Sequence, residues 1–538
     1  MPDRMLGRLL AVLSLLLAGA GLLPAQTGAR YLIITHDNFY NAIQPLAQWK
    51  QQKGMQCVVV KTSQIGSTNA SIRNYILNAY NTWNPRPEFV LLVGNGYYLP
   101  AFSVGWQQFR IYSDNSYGNM AGDYRVELPY GRFPCRTVRQ CSVMVAKTLA
   151  YERNPDLSDT TWYRQATAVI RDSGDSDAYT YWSDARFMAG LMQSAGYSNV
   201  ESICSSRHQT AADVVSAVNQ GRSFVLYRGT ATNNWYTPFA VNPSQTSNGK
   251  RLPIICSFTC ETVTLNSTDS MVGDAWMRVG TPTSLTGAVA FVGNTHSASH
   301  VAGRRSSMTR GFFTGLFTES LATLGAATLR GKNQIYNDWR DSMEYYGFNL
   351  LGDPELNVWT TTPQSMTVSF DSVIAPGLDS FLVTVERAGR PVSRALVCVQ
   401  GGPDSVYQYG YTDATGQCRL VFNTTQEGLL ALTVTARNCR PVETQVAVGQ
   451  LAIGEQSKGQ RPLQPVFTPN PAREVIQVNC PARAEVRLLD PLGRLVRSVP
   501  ARAQAGLKLD VRDLAPGIYV LETRTAGRAN RTPVVILR

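Results

Sequence analysis

The apolar residues of this chain follow two different patterns, and the change comes near Trp359. Before that point, short uninterrupted apolar runs alternate with longer stretches in which apolar residues recur every three or four positions. Runs of the first kind are typical of strands buried on both faces of a parallel sheet, and the second pattern is typical of amphipathic helices. We therefore predict strands at 31–35, 58–60, 89–93, 166–170, 224–227, 253–258 and 287–293, with helices at 39–53, 71–83, 184–196 and 210–221.

This alternation predicts an α/β fold with two parallel-sheet units side by side, over residues 26–160 and 161–360. After Trp359 the helical periodicity disappears, and short alternating strands are separated by turns rich in Gly, Pro and Asp. That pattern predicts a β-sandwich at 361–450. A polar linker at 451–465 then leads to a second, small β-sandwich at 466–538.

The N-terminal segment has the layout of a signal peptide, which we assign to residues 1–25. Two arginines precede an apolar run at 9–23, and a cleavage point follows Ala25. No later segment is apolar enough to cross a bilayer, so the sequence predicts an exported chain with no transmembrane span after signal removal. The net charge of +12 is concentrated towards the C-terminus, but no nucleic-acid-binding motif accompanies it, and we expect no nucleic-acid partner.

Candidate chemistry lies in the loops that follow the predicted strands, because a parallel sheet presents functional groups at the carboxyl ends of its strands. The side chains of interest in these loops are Asp172, Thr230, Trp235, Cys260, His296 and His300. Cys260, just past a strand end, is well placed to act as a nucleophile. A cysteine in such a place is, however, more often a small packed hydrophobe.

Several short motifs, taken together in their order, resemble the gingipain family of cysteine peptidases. That family keeps a Tyr-x-Gly-His-Gly loop about thirty residues before its nucleophile, and here Tyr227-x-Gly229 precedes Cys260 at a similar spacing. The other matching motifs are Tyr31-Leu32-Ile33-Ile34-Thr35, Leu91-Leu92-Val93-Gly94, Gly131-Arg132-Phe133-Pro134, Gly287-Ala288-Val289-Ala290-Phe291 and Leu351-Gly352-Asp353-Pro354-Glu355. The resemblance covers roughly 30–360. It implies a caspase-like α/β fold and a cysteine-type endopeptidase with Cys260 as nucleophile.

One departure from the family pattern affects the implied mechanism. Thr230 stands where the family has its catalytic histidine, and Ala231 replaces the glycine that follows. A threonine hydroxyl cannot act as a base near neutral pH, and losing a positioned base costs about 10²- to 10⁴-fold in rate. His296 is the candidate substitute base, unless it is a rim histidine with no catalytic role. The backbone N–H groups of Ala231 and Cys260 are the implied oxyanion donors.

The candidate substrate-binding residues are His300, Asp172 and Trp235. The acidic loop at 172–177 leaves three interpretations open: it recognises a basic substrate side chain, it binds calcium through carboxylate oxygens, or it is a solvated turn. We expect no cofactor, with a structural calcium ion as the open alternative.

The C-terminal segment resembles the sorting domain of type IX secretion substrates, through Asn470-Pro471-Ala472 and Pro516-Gly517-Ile518-Tyr519. The β-sandwich before it resembles the immunoglobulin-like domain that often follows gingipain catalytic regions. These resemblances imply the type IX secretion machinery as a partner and a secreted or outer-surface location. Two functions remain open: a secreted endopeptidase acting on proteins or peptides with weak or rewired activity, or an inactive pseudopeptidase used for surface binding or adhesion.

Overall fold

The computed structural model describes residues 28–105, 110–266, 270–449, 466–468, 471–479, 485–490, 494–499, 507–525 and 528–537. The predicted signal peptide at 1–25 and the linker at 451–465 lie outside the described residues. The chain divides into two compact units, the first reaching Gln364 and the second beginning at Ser365. This division falls four residues after the predicted domain boundary.

The first unit is built on one sheet of ten strands. In chain order they are β1 Tyr31–Thr35, β2 Cys57–Lys61, β3 Phe89–Val93, β4 Tyr130–Phe133, β5 Gln165–Ile170, β6 Asn199–Cys204, β7 Phe224–Arg228, β8 Ile254–Ser257, β9 Ala290–Asn294 and β10 Phe348–Leu351. Across the sheet their order is β2-β1-β3-β4-β10-β9-β8-β7-β5-β6.

Strand direction divides this sheet into two halves. Pairing is parallel within β2-β1-β3-β4-β10 and within β9-β8-β7-β5-β6, whereas β9 and β10 are antiparallel. The two predicted parallel units are therefore confirmed, and a single antiparallel pair joins them. β10 belongs by sequence to the second unit but extends the sheet of the first.

A helix occurs at each of the four predicted stretches, 39–53, 71–83, 184–196 and 210–221, and the remaining helices were not predicted. The helices are α1 Tyr40–Gln52, α2 Asn69–Thr82, α3 Val138–Glu152, α4 Ala178–Ser194, α5 Ala211–Gln220, α6 Val272–Arg278, α7 Ala302–Phe317, α8 Leu324–Trp339 and α9 Ser342–Gly347, besides single turns at Thr62–Ile65 and Asn115–Gly118. The start of α5 shows how the sequence sets a boundary: the Thr210 hydroxyl accepts from the Ala212 N–H, and the Asp213 carboxylate accepts from the Thr210 N–H. These bonds satisfy amide groups that have no partner within the helix.

The strands of the sheet are mostly apolar because both faces are covered. Every residue of β1, β4, β7 and β9 is buried, as expected for strands of a parallel sheet. The charged residues among them are Arg132 in β4, which pairs with Asp114 at 2.6 Å, and Arg228 at the end of β7. No helix within the described ranges is long and apolar enough to span a bilayer.

The second unit is all β in its described residues. One sheet of its sandwich contains Thr367–Ser369, Gly377–Arg387, Arg390–Pro391 and Gln417–Thr424, and the other contains Val373–Ile374, Cys439–Val448, Gly428–Ala436, Leu396–Gly401 and Val406–Tyr411. Burial alternates strictly along Gln417–Thr424, the pattern of a strand with one face in the core. The C-terminal module has a sheet of Val466–Thr468, Val475–Asn479 and Leu507–Asp510, and another of Leu495–Val499, Glu485–Leu489, Gly517–Thr525 and Arg528–Ile536.

Candidate active site

Cys260 lies in the loop after β8, at the carboxyl end of the second half of the sheet. Two hydrogen bonds fix this loop to the end of β7: the Thr259 hydroxyl donates to the Gly229 carbonyl, and the Arg228 guanidinium donates to the Phe258 carbonyl. Cys260 is a free, half-buried cysteine, and it lines a cavity of about 220 Å³. Its thiol is therefore open to a ligand.

The cavity is where the loops after β5, β7, β8 and β9 meet. Its polar lining residues are Asp175, Ser176, Asp177, Tyr181, Arg228, Thr230, Cys260, Ser299, His300 and Arg305. The topology explains this meeting, because β5, β7, β8 and β9 run parallel and end at one edge. The cavity thus combines a cysteine thiol with both acidic and basic side chains.

Thr230 is held by its side chain and by its backbone. Its hydroxyl donates to Oδ2 of Asp175 at 2.9 Å, and Nη1 of Arg171 lies 3.3 Å from the same oxygen. The hydroxyl of Tyr227 donates to the Thr230 carbonyl at 2.7 Å. Gly229 is needed between them, because a Cβ atom there would lie 2.8 Å from the Tyr227 hydroxyl oxygen. This geometry accounts for the Tyr-x-Gly motif.

Glu344 is the centre of a buried cluster beside Cys260. Its carboxylate faces four donors: Nδ2 of Asn294 at 2.9 Å, Nδ1 of His296 at 3.0 Å, and Nε and Nη2 of Arg305 at 3.2 and 2.9 Å. Burial raises the pKa of Glu344, but Arg305 and His296 outweigh that effect and hold the pKa below its usual value. The other edge of the Arg305 guanidinium faces the cavity, with Nη1 2.9 Å from Sγ of Cys260.

Arg228 forms a second buried ion pair in the cavity wall. Its Nε lies 2.8 Å from Oδ2 of Asp184, an oxygen that also accepts a hydrogen bond from the Ser306 hydroxyl at 2.7 Å. Its Nη2 donates to the Ala302 carbonyl at 2.9 Å. The two side chains are 1% and 0% exposed. The charge of Asp184 is therefore neutralised by the chain itself.

Comparison with known proteins identifies the family of this chain. Residues 24–359 match peptidase family C25, and residues 466–537 match the secretion system C-terminal sorting domain. The chain belongs to peptidase family C25. Gingipain R2 of Porphyromonas gingivalis is 25% identical over 521 residues, which cover 94% of this chain and 67% of the relative.

Two further relatives agree. Lys-gingipain of Porphyromonas gingivalis is 22% identical over 554 residues, covering 95% of this chain and 29% of the relative. The crystal structure of the Arg-specific cysteine proteinase gingipain R has a TM-score of 0.68 at 23% identity, covering 79% of this chain and 99% of that chain, so the two share a fold. The predicted membership of the gingipain family and the predicted sorting domain are confirmed. The sorting domain and the gingipain relatives indicate a secreted or cell-surface-attached protein.

Only some of the site residues predicted from the sequence line the cavity. Thr230, Cys260 and His300 all line the cavity. His296 is not among the residues that line the cavity. Nη2 of Arg305 donates to the His296 carbonyl at 3.5 Å, and the His296 side chain is 11% exposed. Ala231 is buried at the start of a two-residue hairpin, opposite Trp235. Among the described side chains, the guanidinium of Arg305 is the group that contacts the sulfur.

Two of the predicted substrate-binding residues are engaged elsewhere. Trp235 is buried: its ring stacks on Tyr227 with centroids 4.4 Å apart, and its N–H donates to the Ser257 hydroxyl. Asp172 accepts hydrogen bonds from Ser206, Ser205 and the Trp182 indole. Partial burial raises the pKa of Asp172, but these bonds outweigh it and lower the pKa to about 2. Neither residue belongs to the cavity lining, and each supports a neighbouring loop instead.

The sequence predictions missed Arg228, Arg305 and Glu344. Arg228 lies inside the Tyr-x-Gly motif, so its position could have marked it as a group of the site. Arg305 is separated from Cys260 by 45 residues, and Glu344 from Arg305 by 39. Arginine and glutamate in amphipathic helices are ordinarily solvated residues, so the local pattern contains no signal for them.

A trio of carboxylates in the first unit has the geometry of a cation site. Ligand atoms of Glu152, Asp353 and Glu355 all lie within 4.8 Å of one another. The ammonium group of Lys50 lies among them, 2.9 Å from Glu152 and 2.6 Å from each of the other two. Because Lys50 already supplies the positive charge, this trio does not fit an additional calcium ion. Structural calcium remains an untested prediction for the chain.

Proposed function

We propose that this protein is a secreted gingipain-like cysteine endopeptidase with Cys260 as its nucleophile, and that its turnover is weak or rewired because Thr230 replaces the family's histidine. One observation carries the proposal: Cys260 lines an open cavity at the carboxyl end of β8, whereas Cys256 on the strand itself is buried. Membership of peptidase family C25 supports proteins or peptides as substrates. The sorting domain supports export by the type IX secretion machinery.

In the proposed reaction the Cys260 thiolate attacks the carbonyl carbon of the scissile bond. A C–S bond forms while the carbonyl electron pair moves to oxygen, where the N–H groups of Cys260 and Ala231 would stabilise it. Collapse of this intermediate breaks the C–N bond, and the leaving amine must take up a proton. The acyl group then remains on Cys260 as a thioester, and attack by water breaks the C–S bond, releases the carboxylic acid and restores the thiolate.

The proposed reaction needs a donor for that proton. His296 is our candidate, but its Nδ1 is bound to Glu344, so only Nε2 is left for proton transfer. The proposal therefore requires that substrate binding bring Nε2 towards the leaving nitrogen. Low turnover follows if this rearrangement is rarely achieved.

Substrate recognition is proposed to rest on the cavity lining. His300 lies in the wall together with Asp175 and Asp177, and all three are close enough to the Cys260 cavity to meet a bound side chain. Asp177 is the best placed of the acidic side chains for contact with a basic substrate side chain, since Asp172 is outside the cavity lining and the Asp175 carboxylate already binds Thr230 and Arg171. His300 is exposed and could contact the substrate backbone.

Covalent labelling and proteolysis together test the proposed function. A peptidyl acyloxymethyl ketone should label wild-type protein and fail to label Cys260→Ala, and a denatured protein substrate should be cleaved by the first and not by the second. His296→Ala should retain labelling but lose cleavage. Labelling of Cys260→Ala at the wild-type level would contradict the role of Cys260, and cleavage by His296→Ala at the wild-type rate would contradict the role of His296.

A pseudopeptidase is the second candidate, and one observation favours it: Thr230 stands where the family has its histidine and supplies no base. In this case a peptide would bind at the cavity without cleavage. Binding that is lost on blocking Cys260, with no product in mass spectra after prolonged incubation, would support this alternative over turnover.

A further inference from the structure

The guanidinium of Arg305 contacts the sulfur of Cys260 directly. Nη1 lies 2.9 Å from Sγ, and the side chain of Arg305 is 5% exposed. Its Nε and Nη2 are bound to Glu344, which fixes the plane of the group. A cation is thus held against the candidate nucleophile by a carboxylate on its far side.

This contact is more than the packing of a buried ion pair requires. Glu344 binds one edge of the guanidinium with two hydrogen bonds, and that arrangement alone would satisfy the charge of Arg305. The Nη1 group is nevertheless turned towards the cavity and Cys260. Arginine remains protonated throughout the accessible pH range, so this edge always presents a positive charge to the sulfur.

The neighbouring arginine provides an internal comparison. Arg304 also lies in the first turn of α7, but its Nε pairs with Asp341 at 2.8 Å and its guanidinium lies over the ring of Trp339. Arg304 is not among the residues of the cavity. Both arginines therefore pair with a carboxylate, but only Arg305 also lines the cavity and contacts Cys260.

We propose that Arg305 stabilises the thiolate form of Cys260, taking over the charge-holding task of the imidazolium that Thr230 cannot provide. This inference rests on the proposed function in that it takes Cys260 as the nucleophile. Arg305 cannot also act as a proton donor, so it supports attack by the sulfur without supporting departure of an amine. Thioester formation with substrates whose leaving groups need no proton is the chemistry that it favours.

Alkylation of Cys260 in the full chain isolates the charge-holding task. In the reaction with iodoacetamide, the thiolate sulfur displaces iodide and forms a C–S bond, so no leaving group needs a proton. A charge-assisted hydrogen bond favours the ionised partner by roughly 10- to 100-fold. Arg305→Gln should therefore lower the alkylation rate at neutral pH by about tenfold or more. Arg305→Lys should give an intermediate rate, because it keeps the charge but loses the guanidinium geometry, and Arg304→Gln should leave the rate unchanged. The rate is measured by mass spectrometry of the peptide that contains Cys260.

An alkylation rate in Arg305→Gln equal to that of wild type would overturn the inference. A second measurement needs no variant and covers the case in which Arg305→Gln does not fold. In wild type, the ratio of iodoacetate to iodoacetamide rates at Cys260 should exceed that of glutathione severalfold, because the guanidinium attracts the reagent's carboxylate. A ratio equal to that of glutathione would refute the role. Neither experiment requires peptide cleavage, so failure of the proposed peptidase activity would be seen separately.

Discussion

Replacing Thr230 with histidine is expected to raise amide hydrolysis about 100-fold and to leave ester hydrolysis nearly unchanged. The leaving amine of an amide needs a proton, whereas an activated phenolate leaves without one. The new imidazole would stand beside Asp175, whose Oδ2 is now 2.9 Å from the Thr230 hydroxyl. That carboxylate could orient the ring, as the third group of a catalytic triad orients its base.

The magnitude follows from the surroundings of Asp175. A positioned general acid–base group contributes about 10²- to 10⁴-fold. Oδ2 of Asp175 is shared with Arg171, whose Nη1 lies 3.3 Å away, so its hold on the imidazole would be weaker than that of a dedicated partner. We therefore expect the low end of the range, about 2.7 kcal/mol of transition-state stabilisation.

The assay compares peptidyl p-nitroanilides with the matching p-nitrophenyl esters. Thr230→Ser is the matched control, because it retains the hydroxyl that binds Asp175 and should hydrolyse both substrates as wild type does. Thr230→His combined with Cys260→Ala should abolish any gain. An anilide rate that stays at the wild-type level, while Cys260 is alkylated normally, would refute the view that a missing proton donor limits turnover.

Three further predictions concern buried charges in the first unit. Arg228→Met should destabilise the protein by about 3–5 kcal/mol, since it leaves Asp184 buried without its partner. In urea unfolding, the double variant Arg228→Met/Asp184→Asn should be more stable than Arg228→Met alone, and equal stability of these two variants would contradict the prediction. Burial lowers the pKa of Lys147 to about 7, so the unfolded chain binds more protons and stability should rise from about pH 7 to pH 10. Lys147→Met should flatten that rise in urea unfolding, and an unchanged slope would refute it. Lys50→Met should make the melting temperature respond to added calcium, unlike wild type, because three carboxylates then lack their cation; no response in the variant would argue against it.

The fold could be predicted because its signals are local. Uninterrupted apolar runs marked seven of the ten strands of the first sheet, all except β4, β6 and β10, and the Thr210 capping box marked the start of α5. The pairing of β10 was not local: Phe348–Leu351 is antiparallel to β9 and parallel to β4. A strand's own residues do not specify a neighbour that lies more than 200 positions earlier in the chain.

The sequence predicted those residues of the candidate site that come directly after strands. Cys260 and Thr230 follow directly from the ends of β8 and β7, and parallel strands bring such ends together. His296 was expected near Cys260 on the same ground, but Glu344 binds its Nδ1 and Arg305 takes the place beside the sulfur. Arg305 lies in α7 and Glu344 lies in α9, so the packing of these helices determines which basic side chain contacts the sulfur. No local sequence pattern predicts that packing.

The exchange of an imidazole for a guanidinium separates two tasks that one histidine performs in a cysteine peptidase. An imidazolium holds the thiolate charge and then returns a proton to the leaving amine. Arg305 is placed for the first task and is chemically incapable of the second. His296 is hydrogen-bonded to Glu344 through its Nδ1 atom. On the proposed roles, an endopeptidase and a pseudopeptidase would both retain a reactive Cys260 and would differ at one step. We therefore expect the delivery of a proton to the leaving nitrogen to decide between them.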